Sequence, residues 1–272
     1  RLTLTGGELV VPVLRQHWGK LNVLFDGGEV EAYKVEPDFI RELDVHALTA
    51  NGLLVDSAGF AIGTALALPD AAGQHGRLVK RGLGTFTLNA ATTFTGPLVV
   101  QGGELALGAS GLVTLTGGCT VNGGALLNLS ARSLDFTLPS GTSSRIDGEL
   151  RLASAKTLTV AGGAALAGTG VVGRVVLTSG ATLARSASDG AALLHASELV
   201  IPAGAVIALS GYTLDDLLQG IPVATAGALT AARGNLVTVT LDGAAQPYVA
   251  LRTSGGILRL ASYEPGTLLT VE

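Results

Sequence analysis

Few residues in this chain have the chemistry for catalysis, and they are scattered. Asp215 and Asp216 form the tightest acidic pair. Cleaving a glycoside takes two carboxyl groups flanking one bond, roughly 5–9.5 Å apart. Neighbours on a strand point to opposite faces, and neighbours in a turn are solvated, so this pair reads as structural. The four lysines (Lys20, Lys34, Lys80, Lys156) lie outside any acidic cluster, which leaves no obvious general base beside a cation site. The four histidines (His17, His46, His75, His195) lack metal-ligand spacing. There is no G-x-S-x-G elbow and no calcium-binding nonapeptide or EF-hand loop. The segment GTGVVG (168–173) echoes a dinucleotide fingerprint, but that motif needs a strand-to-helix context, and here an alternating strand pattern runs straight through. Cys119 has no partner for a disulfide and reads as a small core residue. His17-Trp18 and Tyr33 make the densest polar-aromatic patch of the N-terminal third; such rings stack on sugars or anchor loops. No catalytic, cofactor-binding or metal-binding residue is therefore assigned, and no cofactor is expected.

The composition explains what the rest of the chain does. Only 14% of the 272 residues are charged, against about 25% in ordinary soluble domains, and there are 39 glycines, no methionine and one tryptophan. So many aliphatic residues require a core, which argues against disorder. Gly, Thr, Ser and Asn interrupt every apolar run before it reaches the ~18 residues of a membrane helix. A net charge of −4, with no basic run longer than Lys80-Arg81, provides no stripe for nucleic acid. The chain begins at Arg1 with no apolar leader, which reads as a signal peptide absent or already removed.

Short alternating strands recur throughout, separated by Gly pairs: LTLTGGELVV (2–11), LNVLFDGGEVEAY (21–33), LTVAGGAALAGTG (158–170). The pairs at 6–7 and 27–28 are 21 residues apart, as are those at 102–103 and 123–124. Alternation sends Leu and Val to one face and Thr or Ser to the other, while glycine supplies the corners. The same turn dipeptides could close antiparallel hairpins. A sandwich core is usually rich in large aromatics, whereas aromatics make up 4% of this chain. Aliphatic rungs stacked at ~4.8 Å fit better. The expected fold is all-β, a right-handed parallel β-helix (β-solenoid) forming a single coil over 1–272, with a charged excursion near 33–48 and a C-terminal rung region near 187–272. At roughly 22 residues per rung it would have about 12 rungs and be on the order of 55–60 Å long. Leu105, Leu115 and Leu126 are expected on the inner ladders. Tyr33–Leu48 is expected to hold a turn or short helix after Pro37, with a second short helix at Tyr212–Leu218.

Residues 76–107 read GRLVKRGLGTFTLNAATTFTGPLVVQGGELAL. They closely resemble the autotransporter-associated β-strand repeat. Leu78, Lys80, Gly82, Gly84, Thr85, Thr87, Leu88, Thr93, Phe94, Thr95, Gly96, Val99, Gly102 or Gly103, and Leu105 fall on its pattern; Phe86, Ala90, Thr92, Phe94 and Glu104 replace its Leu, Gly, Asn, Tyr and Thr. Residues 22–70 and 161–184 are similar to segments that flank this repeat in large surface proteins. The resemblance implies a β-helix exported to the cell surface and extracellular, serving as adhesin, coat or stalk, with no shared catalytic residues. It also leads one to expect a membrane barrel, which this sequence, ending TLLTVE, does not contain; the anchor would lie elsewhere or come from a partner. A carbohydrate-active β-helix enzyme or a glycan-binding module is the alternative. The partners expected are a second copy docking end to end through strands at Leu2–Thr5 and Leu268–Val271, other surface proteins, or glycans.

Overall fold

A computed structural model describes residues 1–232 and 236–262. Two sheets, of 13 and 14 strands, carry nearly all the regular structure. Each turn of the chain lays one strand on each sheet. Leu78–Arg81, Leu98–Val100 and Cys119–Val121 stack on the first sheet; Thr85–Leu88, Glu104–Leu107, Leu126–Asn128 and Glu149–Arg151 stack on the second. These pairings are all parallel, which makes the molecule a β-solenoid and rules out the hairpin sandwich. No helix among the described residues is long and apolar enough to cross a membrane.

Alternation determines what lies inside. Ile62, Phe86, Leu105, Leu127, Leu150, Val172 and Ala196 are successive register partners on the second sheet, and all are buried. Burying each large aliphatic of such a column stabilises the fold by about 1.5–3 kcal/mol. Leu105 and Leu115 lie inside as expected. Leu126 does not. It is half-buried and stands between Glu104 and Glu149 in the outward column, because the inward position of that strand belongs to its neighbour Leu127. The cross-section gains a third side midway along the coil. Val171–Leu177 pairs with Glu149–Arg151 before Gly173 and with Thr157–Val160 after it.

The coil makes about nine turns, fewer than the twelve expected. Its turns are unequal, and several are longer than the sequence period implies. Leu78 faces Leu98 twenty residues on, but Thr120 faces Arg145 after twenty-five, Ala165 faces Thr182 after seventeen and Val206 faces Thr238 after thirty-two. The longest turn contains the helix Leu214–Gln219, which overlaps the stretch expected to be helical and runs one residue past it. The chain also spends residues on a reversal. Val249–Ser254 and Ile257–Ser262 form an antiparallel hairpin, and the second of these strands pairs antiparallel with Ile221–Ala231. This hairpin ends parallel stacking on the second sheet. The closing strand expected at Leu268–Val271 lies outside the described residues.

No helix follows Pro37; the chain turns only after the strand that contains it, at Glu42, whose φ is 53°. Glu36–Arg41 is a strand of the second sheet, with Phe39 and Ile40 buried and the charges outside, where Glu36 and Arg41 approach to 3.6 Å. The pairing slips between Glu36 and Ile40. An irregular stretch of this kind tolerates a proline, which has no N–H to give to the ladder.

Candidate functional site

The residues singled out from the sequence are spread over the coil, and several of them help hold it together. Asp216 caps the helix Leu214–Gln219, accepting from Thr213 N and Oγ1 at 2.7 Å each, and Thr213 Oγ1 accepts in turn from Asp216 N. The backbone N–H and hydroxyl of Thr213 hold the Asp216 carboxyl below its usual range. Asp215 is an exposed first-turn residue. His46 Nε2 bonds to Ala67 O, His75 Nδ1 to Thr95 Oγ1 at 2.7 Å and His195 Nδ1 to Thr225 Oγ1 at 2.9 Å. Each of these joins one turn of the coil to the next. Among the described residues no group of three or more His, Cys, Asp or Glu is placed to hold a metal ion. Cys119 is buried, and burial pushes its thiol up to about 12, so it is a core residue with little thiolate available. GTGVVG enters the strand Val171–Leu177. The His17 and Trp18 rings meet edge-on at 5.3 Å, and Trp18 is 86% exposed.

The stretch 76–107 builds two successive turns. Leu78, Val79 and Lys80 face Leu98, Val99 and Val100 on the first sheet; Thr85, Phe86 and Leu88 face Glu104, Leu105 and Leu107 on the second. The corner between the sheets depends on Gly82 and Gly84, whose φ values of 59° and 84° favour glycine. A Cβ on Gly82 would fall 1.9 Å from Asp56 Oδ1, and one on Gly84 would fall 2.4 Å from Phe60 O. At Gly84 the backbone leaves no room for a side chain; at Gly82 the Asp56 carboxylate would have to move. At the opposite corner Asp70 accepts from Gly76 N, Thr95 N and Thr95 Oγ1, at 2.5, 3.0 and 2.6 Å. Burial raises its pKa, but the Thr95 and Gly76 donors outweigh burial and keep it low.

Lys80 has a role that sequence reasoning missed. Its side chain is fully buried between Val55 and Val100 in the inward column of the first sheet. Nζ donates to Arg81 O, to Gly82 O at 3.0 Å and to Gly102 O at 3.3 Å. The amine therefore satisfies the carbonyls of two stacked glycine corners. Burial pushes its pKa down to about 8, against a pull from Asp56. The signal was one of parity, because Lys80 is two residues from buried Leu78 and must point the same way.

Outward polar residues form a lattice between turns. Arg81 reaches Glu29 at 2.8 Å, Asn128 Nδ2 reaches Glu104 at 2.7 Å, Thr85 Oγ1 reaches Glu104 at 3.2 Å and Arg174 reaches Glu198 at 2.8 Å. Farther along, Arg185 is buried. It donates to Ala192 O and to Gly190 O, and it lies 3.6 Å from Asp189, which also binds Arg145.

Residues 78–107 match the family model described as passenger-associated-transport-repeat. Comparison with curated proteins and with solved structures finds no match. The matched residues are those that make the Lys80 strand, the Gly82–Gly84 corner and the next turn. With that repeat set in a stack of parallel coils, the chain is similar to the β-helix repeat proteins of autotransporter passengers.

Proposed function

We propose that the chain is a non-catalytic extracellular surface protein, a stalk or coat that presents its flanks to the outside. The observation that carries this reading is the use of the outward ionisable groups. Glu29, Glu104 and Glu198 each bind a residue of another turn. Groups occupied in this way stiffen a rod and are poorly placed to exchange protons with a substrate. The family match supports a secreted or cell-surface location. Hydrolysis and elimination assays on a polysaccharide panel, run alongside a glycan array, test the reading. Turnover of any polysaccharide would replace it with the carbohydrate-active alternative.

End-to-end assembly is the finer part of this proposal. The strands Leu2–Leu4, Glu8–Val11 and Leu14–Arg15 each pair on one side only among the described strands. Open edges of this kind accept further strands, and a contact between unlike ends grows a filament. Light scattering on a size-exclusion column and electron microscopy decide it. A monomer at high concentration without fibres removes assembly and leaves the stalk.

A further inference from the structure

Asparagine is followed by glycine twice in the chain, at Asn51-Gly52 and at Asn122-Gly123, and the coil treats the two pairs differently. Asn122 follows the strand Cys119–Val121 and starts the corner that leads to Leu126–Asn128 on the other sheet. Its N–H donates to Val100 O at 2.9 Å, and its carbonyl accepts from Ala125 N at 3.0 Å, which closes a turn through Gly123 and Gly124. Asn122, Gly123 and Gly124 are all exposed. The Asn122 side-chain amide and the Gly123 N–H have no hydrogen-bond partner among the described residues. A Cβ on Gly123 would meet nothing nearer than Asp147 O at 4.0 Å, and its φ lies outside the left-handed region.

Asn51-Gly52 lies inside the strand Val45–Asp56. Asn51 Nδ2 donates to Asp26 Oδ1 at 2.9 Å, and Gly52 N donates to Thr49 Oγ1 at 3.4 Å. Gly52 is buried, and a Cβ there would fall 2.1 Å from Arg77 O. Side-chain amide, N–H and backbone are all held.

We propose that Asn122-Gly123 is a site of self-modification, where the asparagine converts through a cyclic imide to isoaspartate and aspartate while Asn51 is spared. Hydroxide takes the proton from Gly123 N, and this nitrogen attacks Asn122 Cγ. The N–Cγ bond forms, the Cγ–Nδ2 bond breaks, and Nδ2 leaves as ammonia with a proton from water. Water then opens the five-membered ring. Breaking the bond from Gly123 N to the main-chain carbonyl carbon of Asn122 leaves isoaspartate, with the chain running through Cγ. Breaking the bond to Cγ leaves aspartate. One water is consumed and one ammonia released, with no oxidation or reduction. Glycine favours the attack because no Cβ crowds the nitrogen, and an exposed loop leaves the side chain free to turn back on its own backbone. The same movement at Asn51 would break its bond to a carboxylate and pull Gly52 N from a buried acceptor. Asp26 also opposes the negative charge that builds on the attacked amide. Each conversion at Asn122 adds one negative charge to the exposed surface. The site is independent of the stalk reading.

The test incubates the full folded chain in mildly alkaline buffer made with ¹⁸O water. Peptides spanning each pair are followed by mass spectrometry and by enzymatic methylation of isoaspartate. The Asn122 peptide is expected to take up ¹⁸O and give mainly isoaspartate, at least roughly tenfold faster than the Asn51 peptide. Gly123→Ala, which the open space admits, should keep the β-sheet circular dichroism and slow Asn122 by at least roughly tenfold. In urea the two pairs should convert at comparable rates, which assigns the protection of Asn51 to the coil. The proposal is overturned if Asn122 stays intact in the folded chain while the unfolded chain converts, or if folded Asn51 converts as fast. Aspartate without isoaspartate, an unslowed Gly123→Ala, or a rate difference that persists in urea would overturn it equally.

Discussion

Lys80 and Arg185 occupy comparable places on the first sheet, each turned inward late in its strand, each buried, and each donating to carbonyls of a nearby loop. They differ in how the charge is balanced. Arg185 lies 3.6 Å from Asp189, and Arg145 closes on the same carboxylate from the outside. Lys80 forms no ion pair among the described residues; only carbonyls touch its amine, and Asp56 acts from a distance. A guanidinium cannot shed its proton and needs a counter-charge once buried. An amine can shed its proton, so the coil tolerates it without one. Both cations do the same structural work at glycine-rich corners, but only the lysine couples that work to alkaline pH.

The comparison rests on inward charge being tolerable only where carbonyls or a carboxylate await it, and the strongest check is a charge placed where neither exists. Leu127→Asp should cost more than about 4 kcal/mol or prevent folding, since it puts a carboxylate amid aliphatic rungs. Leu126→Lys, one residue away but outward between Glu104 and Glu149, should change stability by less than about 1 kcal/mol. Urea midpoints for the two variants decide this, and similar losses would refute the register.

Arg185→Met comes next. It strands the carbonyls of Gly190 and Ala192 and leaves the buried Asp189 with Arg145 as its one cation among the described residues, for an expected loss of about 3–5 kcal/mol. A loss below about 1 kcal/mol would show that the inner ion pair contributes nothing. Asp189 also gives this region its acid sensitivity. Burial raises its pKa, but the Arg145 bond and the Ser186 N–H hold it below 3.8. Its contribution is therefore present above that value and is lost as pH falls through the depressed folded pKa.

Lys80 predicts the opposite limb. Its folded pKa of about 8 is below the ordinary 10.5, so between these values the unfolded chain holds a proton that the folded chain has released. Stability from this group then rises with pH across that window. Cys119 opposes the rise, because its thiol is pushed up to about 12 when folded, so the informative quantity is a difference between variants. The stability of the parent relative to Lys80→Met should grow by roughly 2–3 kcal/mol between pH 7.5 and 10.5. A flat difference would mean that the amine stays charged inside. The smallest effect belongs to Arg145→Gln. Arg145 is 40% exposed, and removing its outer contact with Asp189 should cost less than about 1 kcal/mol in a melting experiment.

Strand alternation and Gly-pair corners made the coil legible before any coordinates, because both follow from local backbone chemistry. Local signals failed where neighbours in space decide. Phe39 and Ile40 are adjacent yet both buried, which breaks alternation at the slip beside Pro37. That break, with the charges around it, made a strand look like an excursion. The hairpin after Thr253 was visible as Ser254-Gly255-Gly256 between two alternating runs, but the same dipeptide marks corners throughout this chain and could not be told apart.

The unequal turns have a consequence for assembly of the coil itself. A stack of identical rungs has no unique alignment: any turn could settle one place too high or too low and still bury its ladder. Here a turn displaced by one whole rung would meet a corner that is too long or too short, since neighbouring repeats run from seventeen residues to thirty-two. The inward cations sharpen the mismatch, because Lys80 moved up one rung would leave the glycine corners it serves. Like a key with uneven teeth, the chain fits its own groove in one position only.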